Sequence, residues 1–529
     1  MKHSRKSQHI VARPSGRFLQ RQKQALTIPA LLLFTVASVF GLSTRHQVQA
    51  ANSLQRIAYY GNWDIYGNDY TLKDVNDSGA ADQLTTLVYS FENIDPVSLR
   101  CFQDVHAVKI DENDPNAGDG GSDAWADYQY AFPAERSIDG VADTAAQPLR
   151  GNFNQLKKLK ALHPNLKIML SIGGWTYSKF FSDVAQPANR AAFVQSCVDM
   201  YIRGNLPTSI AGDTTAGGAG VAAGIFDGLD IDWEFPGSPN GHLGNHYSPN
   251  DTANYTALLA EFRKQLNEQG AIDGKYYRLT AAVPSGGNEI DQINVPKISQ
   301  YLDYAGVMSY DMHGAWENHT NFNAPLYPSD ANPDAAMGFT VDESVQRWEE
   351  AGMPSRKIVV GMPFYWRGWS GVTAGDSNGL YQTATAGSPA FPITNQVGVG
   401  NYKELLTAGL LTNVHVDQAS GGSPWIFQNG VFMTGDTPKS LAQKGKYVRS
   451  EGLGGAMIYS LEGDDPNGTL LNAVVNGLNG TSTHKQKRVH TDESLPAHTS
   501  HPTENSPLSG RTMETAHATS TKEEQSCSG

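Results

Sequence analysis

From Leu229 to Glu234 the chain alternates apolar and acidic residues, Leu229-Asp230-Ile231-Asp232-Trp233-Glu234. Successive side chains of a β-strand point to opposite faces. Asp230, Asp232 and Glu234 therefore share one face, and Leu229, Ile231 and Trp233 share the other. Short apolar runs of the same kind recur along the chain. They predict strands at Ile57–Gly61, Thr86–Phe91, Lys167–Ile172, Gly228–Glu234, Arg278–Val283, Tyr304–Ser309, Lys357–Met362 and Gly455–Tyr459. Helix-like segments lie between many of them, such as Phe153–Leu162, Ala191–Ile202, Tyr255–Glu268 and Val341–Glu350. Eight strands alternating with helices predict an α/β chain, a parallel (β/α)8 TIM barrel, whose active site lies at the C-terminal ends of the strands. Glu234 ends its strand there, just before Pro236-Gly237.

Two stretches do not fit the alternation. Asp95 to about Arg150 is a long connection after the second strand, rich in Gly, Asp and Asn, of a length that usually carries its own structure or a binding role. Between strands seven and eight, roughly Gly371 to Val431 contains Tyr402-Lys403-Glu404-Leu405 and the stretches Leu411–Val416 and Pro424–Phe427. This segment, about 371–431, predicts a small α+β insertion.

The ends of the chain differ from its body. Lys2, Arg5, Lys6, Arg13, Arg17, Arg21 and Lys23 precede a mostly apolar run, Leu26 to Leu42, and then the small-x-small triplet Val48-Gln49-Ala50. Residues 1–50 read as a secretory signal peptide, so the protein is expected to be secreted and extracellular. The apolar run approaches the shortest membrane-spanning length, but Pro29, Ser38 and Gly41 weaken an anchor, and no stable membrane association is expected. Residues 481–529 are rich in Ser, Thr, His and Pro, contain no Phe, Tyr or Trp, and read as a disordered tail. The body between, residues 51–480, reads as one catalytic domain, expected to act as a monomer.

Composition narrows the function. Of 529 residues, 39% are hydrophobic and 18% charged, as in a soluble globular protein, and the net charge of −13 argues against nucleic-acid binding. Three cysteines, Cys101, Cys197 and Cys527, make no disulfide framework, although a Cys101–Cys197 bridge is possible. No Cys and His spacing suggests zinc. Asp at alternate positions also occurs in calcium loops, but those need glycine at the sixth position and Glu at the twelfth. Bulky apolar residues fill the intervening positions here, so a buried strand is expected and no metal. Like charges about 6.6 Å apart along a strand cannot all ionise readily, so a proton is expected to be retained in the row. Such a proton is what a general acid requires.

With the strands placed, Asp227-x-x-Asp230-x-Asp232-x-Glu234 resembles the signature of the glycoside hydrolase family 18 chitinases. Ser171-Ile172-Gly173-Gly174-Trp175, Met308-Ser309-Tyr310-Asp311 and Gly361-Met362-Pro363-Phe364-Tyr365-Trp366-Arg367 resemble that family's third-, sixth- and seventh-strand motifs, in barrel order. The resemblance covers about Leu54 to Leu478 and points to the bacterial-type branch with the inserted subdomain. It implies Glu234 as general acid and base, Asp232 as the group that turns to the substrate acetamide, and Asp230 as its inner partner. Tyr310 would steady the acetamide, and Tyr59 and Ser171 would hydrogen-bond Asp230. Gly174, Trp175, Met308, Asp311, Trp316, Arg367 and Tyr459 are the remaining expected substrate-binding positions. Asp227 falls on the other parity and is expected to be structural. Trp175, Trp316 and Trp366 are expected to line the groove, Trp233 and Trp348 to pack in the core, and Trp125 and Trp425 to extend the groove or only pack.

A double-displacement glycosidase needs a second carboxyl group about 5–5.5 Å away across the bond, and the sequence places none opposite the row. The resemblance instead implies substrate assistance: the sugar's own acetamide attacks, with retention and no cofactor. It implies a chitinase acting on chitin and chitooligosaccharides. An endo-β-N-acetylglucosaminidase acting on N-glycans and a non-catalytic chitin-binding lectin are the alternatives, although a lectin typically lacks the acid Glu. Two departures bear on affinity and cleavage pattern. Tyr459 stands where the family usually has Trp, and Trp366 where a small residue is usual.

Overall fold

The computed structural model describes residues 54–108 and 113–480. The leader and tail expected at the two termini lie outside them. Eight parallel strands close into a barrel. They are β1 (Gln55–Gly61), β2 (Thr86–Glu92), β3 (Lys167–Gly173), β4 (Gly228–Asp232), β5 (Arg278–Val283), β6 (Tyr304–Val307), β7 (Ile358–Pro363) and β8 (Gly455–Tyr459). Neighbours in sequence are neighbours in the barrel, and β8 closes against β1. Every expected strand is present. β4 stops two residues earlier than its alternation suggests, because its ladders to β3 and β5 both end at Asp232.

The two faces of each strand serve two cores. Leu229, Ile231 and Trp233 point outward into the large layer between barrel and helices. There Trp233 stacks on Phe181 (centroids 5.4 Å apart) and meets Tyr255 edge-on, while the Trp348 indole donates to the Pro284 carbonyl at 2.8 Å. Both tryptophans are core residues, as the pattern predicts. Ile57, Tyr59, Val88, Met169, Tyr304, Val359 and Met457 fill the barrel interior. Asp227 precedes β4. Its carboxylate accepts the Ile168 amide at 3.0 Å and pairs with Lys160 at 2.8 Å, which fixes the entry of that strand.

Between β7 and β8 lies a six-stranded antiparallel sheet. It runs from Tyr365–Ser370 to Val431–Thr434 and includes the helix Tyr402–Thr407, so it begins earlier than the expected Gly371. Parity along its first strand corrects one expectation. Tyr365 and Arg367 share a face, whereas Trp366 turns the other way and packs with Leu405, Ile426 and Met433. Trp366 has no exposed surface and its indole donates to the Asp436 carbonyl at 3.1 Å. It is therefore a core residue of the sheet and does not line a groove. Trp425 likewise packs away from solvent, between the insertion and Phe322 of the connection from β6 to β7.

The connection from Asp95 to Arg150 carries a short two-stranded ladder, Val105–His106 with Ser122–Asp123, a π-helical turn, Trp125–Gln129, and a 3-10 turn, Ala134–Arg136. It is tied down by a Cys101–Cys197 disulfide that spans 96 residues and by a Lys179–Asp119 ion pair at 2.6 Å. Trp125 is partly exposed and stacks on Tyr66, 5.7 Å between centroids. A bridge over so long a loop restricts the unfolded chain. Replacing Cys101 and Cys197 together by serine is expected to lower unfolding stability by about 2–5 kcal/mol in a urea titration. An unchanged midpoint would contradict that role for the bridge.

Candidate active site

The register of the barrel decides the surroundings of each acid. Asp230 lies beside Ser171 on β3 and Thr280 on β5. Both neighbours carry hydroxyls on the inward face. Ser171 Oγ donates to Asp230 Oδ2 at 2.9 Å, Thr280 Oγ1 to Oδ1 at 2.5 Å, and the Tyr59 hydroxyl crosses from β1 to donate to Oδ2 at 2.7 Å. Burial raises the Asp230 pKa, and these three donors oppose the rise.

Asp232, two residues on, lies beside Gly173 and Ala282, which carry no donor. It is 3% exposed, and its Oδ1 is buried without a hydrogen-bond partner. Burial first, then the charges of Glu234 and Asp230, push its pKa well up. Glu234 is half-buried at the end of the row. Loss of solvent, reinforced by the charge of Asp311, pushes its carboxyl up to about 8. The row thus grades from a carboxyl bound by three hydroxyls to one that keeps its proton at neutral pH.

Around the acids stands a collar of rings. Tyr459 lies 5.7 Å from Tyr59, 6.2 Å from Tyr310 and 6.4 Å from Phe91, centroid to centroid. Burial and the nearby charge of Asp232 raise the Tyr310 hydroxyl well above its ordinary pKa, so it stays a neutral donor. Asp311 is the other carboxylate near Glu234, and its oxygens are occupied. Tyr365 donates to Oδ1 at 2.7 Å, and Arg367 grips Oδ1 and Oδ2, each at 2.7 Å. The same guanidinium lies 5.1 Å from the Trp316 ring. Trp316 and Trp175 present 58% and 39% of their surface to solvent, enough to offer an open face to a ligand. Gly174 donates its N–H to the Asp232 carbonyl at 2.8 Å, and Met308 packs partly buried against the interior cluster.

The expected residues Tyr59, Ser171, Asp230, Asp232, Glu234, Tyr310, Asp311, Arg367 and Tyr459 therefore converge on one end of the barrel. Two further residues belong with them. Thr280 is legible as the inward-parity hydroxyl of β5, but only once the register against Asp230 is known. Tyr365 lies in the seventh-strand motif and needed the sheet's geometry to show its grip on Asp311. Among the described residues, no cluster of three or more His, Cys, Asp or Glu is disposed to hold a metal ion.

Residues 55–464 match the model of the glycosyl hydrolases family 18. Chitinase A1 of Niallia circulans is 35% identical over 469 residues, covering 84% of this chain and 61% of its own length. Chitinase C of Streptomyces lividans is 34% identical over 424 residues, covering 78% of this chain and 58% of its own length. The chain thus spans less than two thirds of either relative. The catalytic domain of psychrophilic chitinase B from Arthrobacter TAD20 superposes with a TM-score of 0.75 at 40% identity, covering 82% of this chain and 96% of that one.

The raised carboxyls have a consequence for stability. An acid whose pKa rises on folding stabilises the fold below its unfolded value, near 4, and loses that contribution as pH climbs through the folded value. For Asp232 and Glu234 this window opens near pH 4, and for Glu234 it extends to about 8. The melting temperature is expected to fall across that window, and Asp232→Asn to make the fall shallower. Parallel curves for parent and variant, followed by circular dichroism, would contradict the buried state of the row.

Proposed function

The chain belongs to glycosyl hydrolase family 18, and on that premise we propose that it is a secreted chitinase, hydrolysing β-1,4-linked N-acetylglucosamine polymers with retention by substrate-assisted catalysis. One observation carries the mechanism: Asp232 Oδ1 is a buried acceptor with no donor of its own, between a hydroxyl-bound Asp230 and a Glu234 that keeps its proton. A 2-acetamido N–H is the donor that such an acceptor lacks. The names of the relatives and the wall formed by the inserted sheet support chitin as the polymer. The basic and apolar leader of residues 1–50 supports export.

In the first step Glu234 gives its proton to the glycosidic oxygen, and the C–O bond breaks. The acetamide carbonyl oxygen of the same sugar attacks the anomeric carbon from the opposite side. Asp232 accepts the acetamide N–H and stabilises the positive charge that spreads into the oxazolinium ring. The Tyr310 hydroxyl donates to the acetamide oxygen and holds it in line. Asp311, bound on both oxygens, is unavailable as a protein nucleophile. In the second step the Glu234 carboxylate takes a proton from water, whose oxygen opens the ring with net retention. Glu234 then carries a proton again. Trp175 and Trp316 offer their faces to sugars on either side of the bond.

The assay offers chitin oligomers and an N-glycoprotein separately to the protein and identifies the products. Short N-acetylglucosamine oligomers, with chitobiose prominent, are expected from the first. Glycan release alone would overturn the chitinase reading in favour of an endo-β-N-acetylglucosaminidase, and binding without products would favour a lectin. In the same assay Glu234→Gln is expected to lose about 10²–10⁴-fold in turnover while still binding oligomers. Turnover within twofold of the parent would remove Glu234 from the acid role.

A further inference from the structure

Glu234 acts from a place where its strand has already ended. The ladders of β4 stop at Asp232, so no neighbouring strand holds the backbone of Glu234. Yet a proton donor must be placed to within a fraction of an ångström, because a misplacement of about 1 Å can cost on the order of 10²-fold in rate. Something other than the sheet has to hold it.

Two side chains outside the expected site do so. Ser178 is fully buried. Its hydroxyl accepts the Glu234 N–H at 2.9 Å and donates to the Asp232 carbonyl at 2.9 Å. One oxygen thus spans the main chain from the acetamide-orienting residue to the acid. On the other side of the residue, in the next peptide unit, the Asn245 amide donates to the Glu234 carbonyl at 2.8 Å and also to the Trp175 carbonyl at 3.3 Å. Glu234 therefore has its N–H held by one loop and its C=O held by another.

The neighbouring backbone, at the end of β3 and in the Asn245 loop, approaches so closely that the contact points admit no side chain. A Cβ at Gly241 would stand 2.1 Å from the Glu234 carbonyl oxygen, and one at Gly173 would stand 2.0 Å from the Asp232 carbonyl oxygen. The backbone at 232–234 is boxed on both sides, and the polar contacts that fix its rotation come from Ser178 and Asn245.

We propose that Ser178 and Asn245 are positioning residues that clamp the backbone of Glu234 and keep its carboxyl in register with Asp232 for proton transfer. Asn245 also joins the Glu234 peptide to that of Trp175, so a sugar stacked on the indole is referenced to the acid that cleaves beside it. The inference rests on the assignment of Glu234 as the acid, and neither residue is expected to touch the substrate. Removal should therefore lower kcat and leave KM nearly unchanged. A loosened Glu234 would also admit water. Solvent lowers a carboxyl pKa raised by burial, so the basic limb of the rate profile should move to lower pH. The groups that face Glu234 are Asp232, Asp311, Tyr310 and Tyr459, and none of them is altered by these substitutions.

The test measures kcat, KM and the pH profile of kcat/KM on chitin oligomers for the parent, Ser178→Ala and Asn245→Ala, with folding checked by circular dichroism. The expected result is a loss of about 10-fold or more in kcat, KM within about threefold, and a basic limb displaced to lower pH. Should Ser178→Ala not fold, Asn245→Ala, on a half-buried loop, carries the same test. Folded variants with kcat within twofold of the parent overturn the inference and leave the assignment of Glu234 standing. A kcat loss with the basic limb unmoved means a structural role only and also overturns it. A parent that cleaves nothing takes the inference down together with the reading on which it rests.

Discussion

Taking a carboxylate out of water costs several kcal/mol unless protein groups replace the solvent, and this chain does so at alternate positions along β4 and just past its end. Much of the molecule follows from how that cost is met. Asp230 is met by three hydroxyls, Tyr59, Ser171 and Thr280, each delivered from a different strand. Asp232 Oδ1 receives no donor, and the side chains of the flanking Gly173 and Ala282 offer none. Glu234, shielded from solvent and with the Asp311 charge nearby, keeps its proton. One alternating segment thus yields three different acids, and the difference lies in the neighbours that the register brings alongside.

The rest of the site keeps other groups from relieving that imbalance. Arg367 and Tyr365 occupy Asp311, so it contributes its charge while its oxygens stay engaged. The rings of Tyr59, Phe91, Tyr310 and Tyr459 exclude water from the end of the barrel. The inserted sheet supplies Tyr365 and Arg367 from one face of its first strand and buries Trp366 on the other. It belongs to the site through that strand.

The strands, their order and the acid row were legible because period-two alternation and barrel order are local properties of the sequence. Asp227 read correctly as structural from parity alone. Parity was also available at Trp366, but the position was read against a motif that runs on from β7, and the new strand beginning at Tyr365 was not visible. Thr280 was missed because its partner is set by inter-strand register, which a single strand's sequence does not encode. Ser178 and Asn245 were invisible for a related reason. They bond to backbone atoms, and a serine or asparagine in a loop gives no sign of which peptide it holds. The Cys101–Cys197 bridge was open in the sequence and is formed in the fold.

The central claim is that the unpartnered Asp232 waits for the substrate's own acetamide, which does the work of a protein nucleophile. The most direct measurement compares matched chitin oligomers that differ only at the sugar whose bond is to break, one carrying the acetamide and one a free amine. The account predicts cleavage after the acetylated sugar and none after the amine. Efficient cleavage after the free amine would contradict substrate assistance and require a nucleophile from the protein.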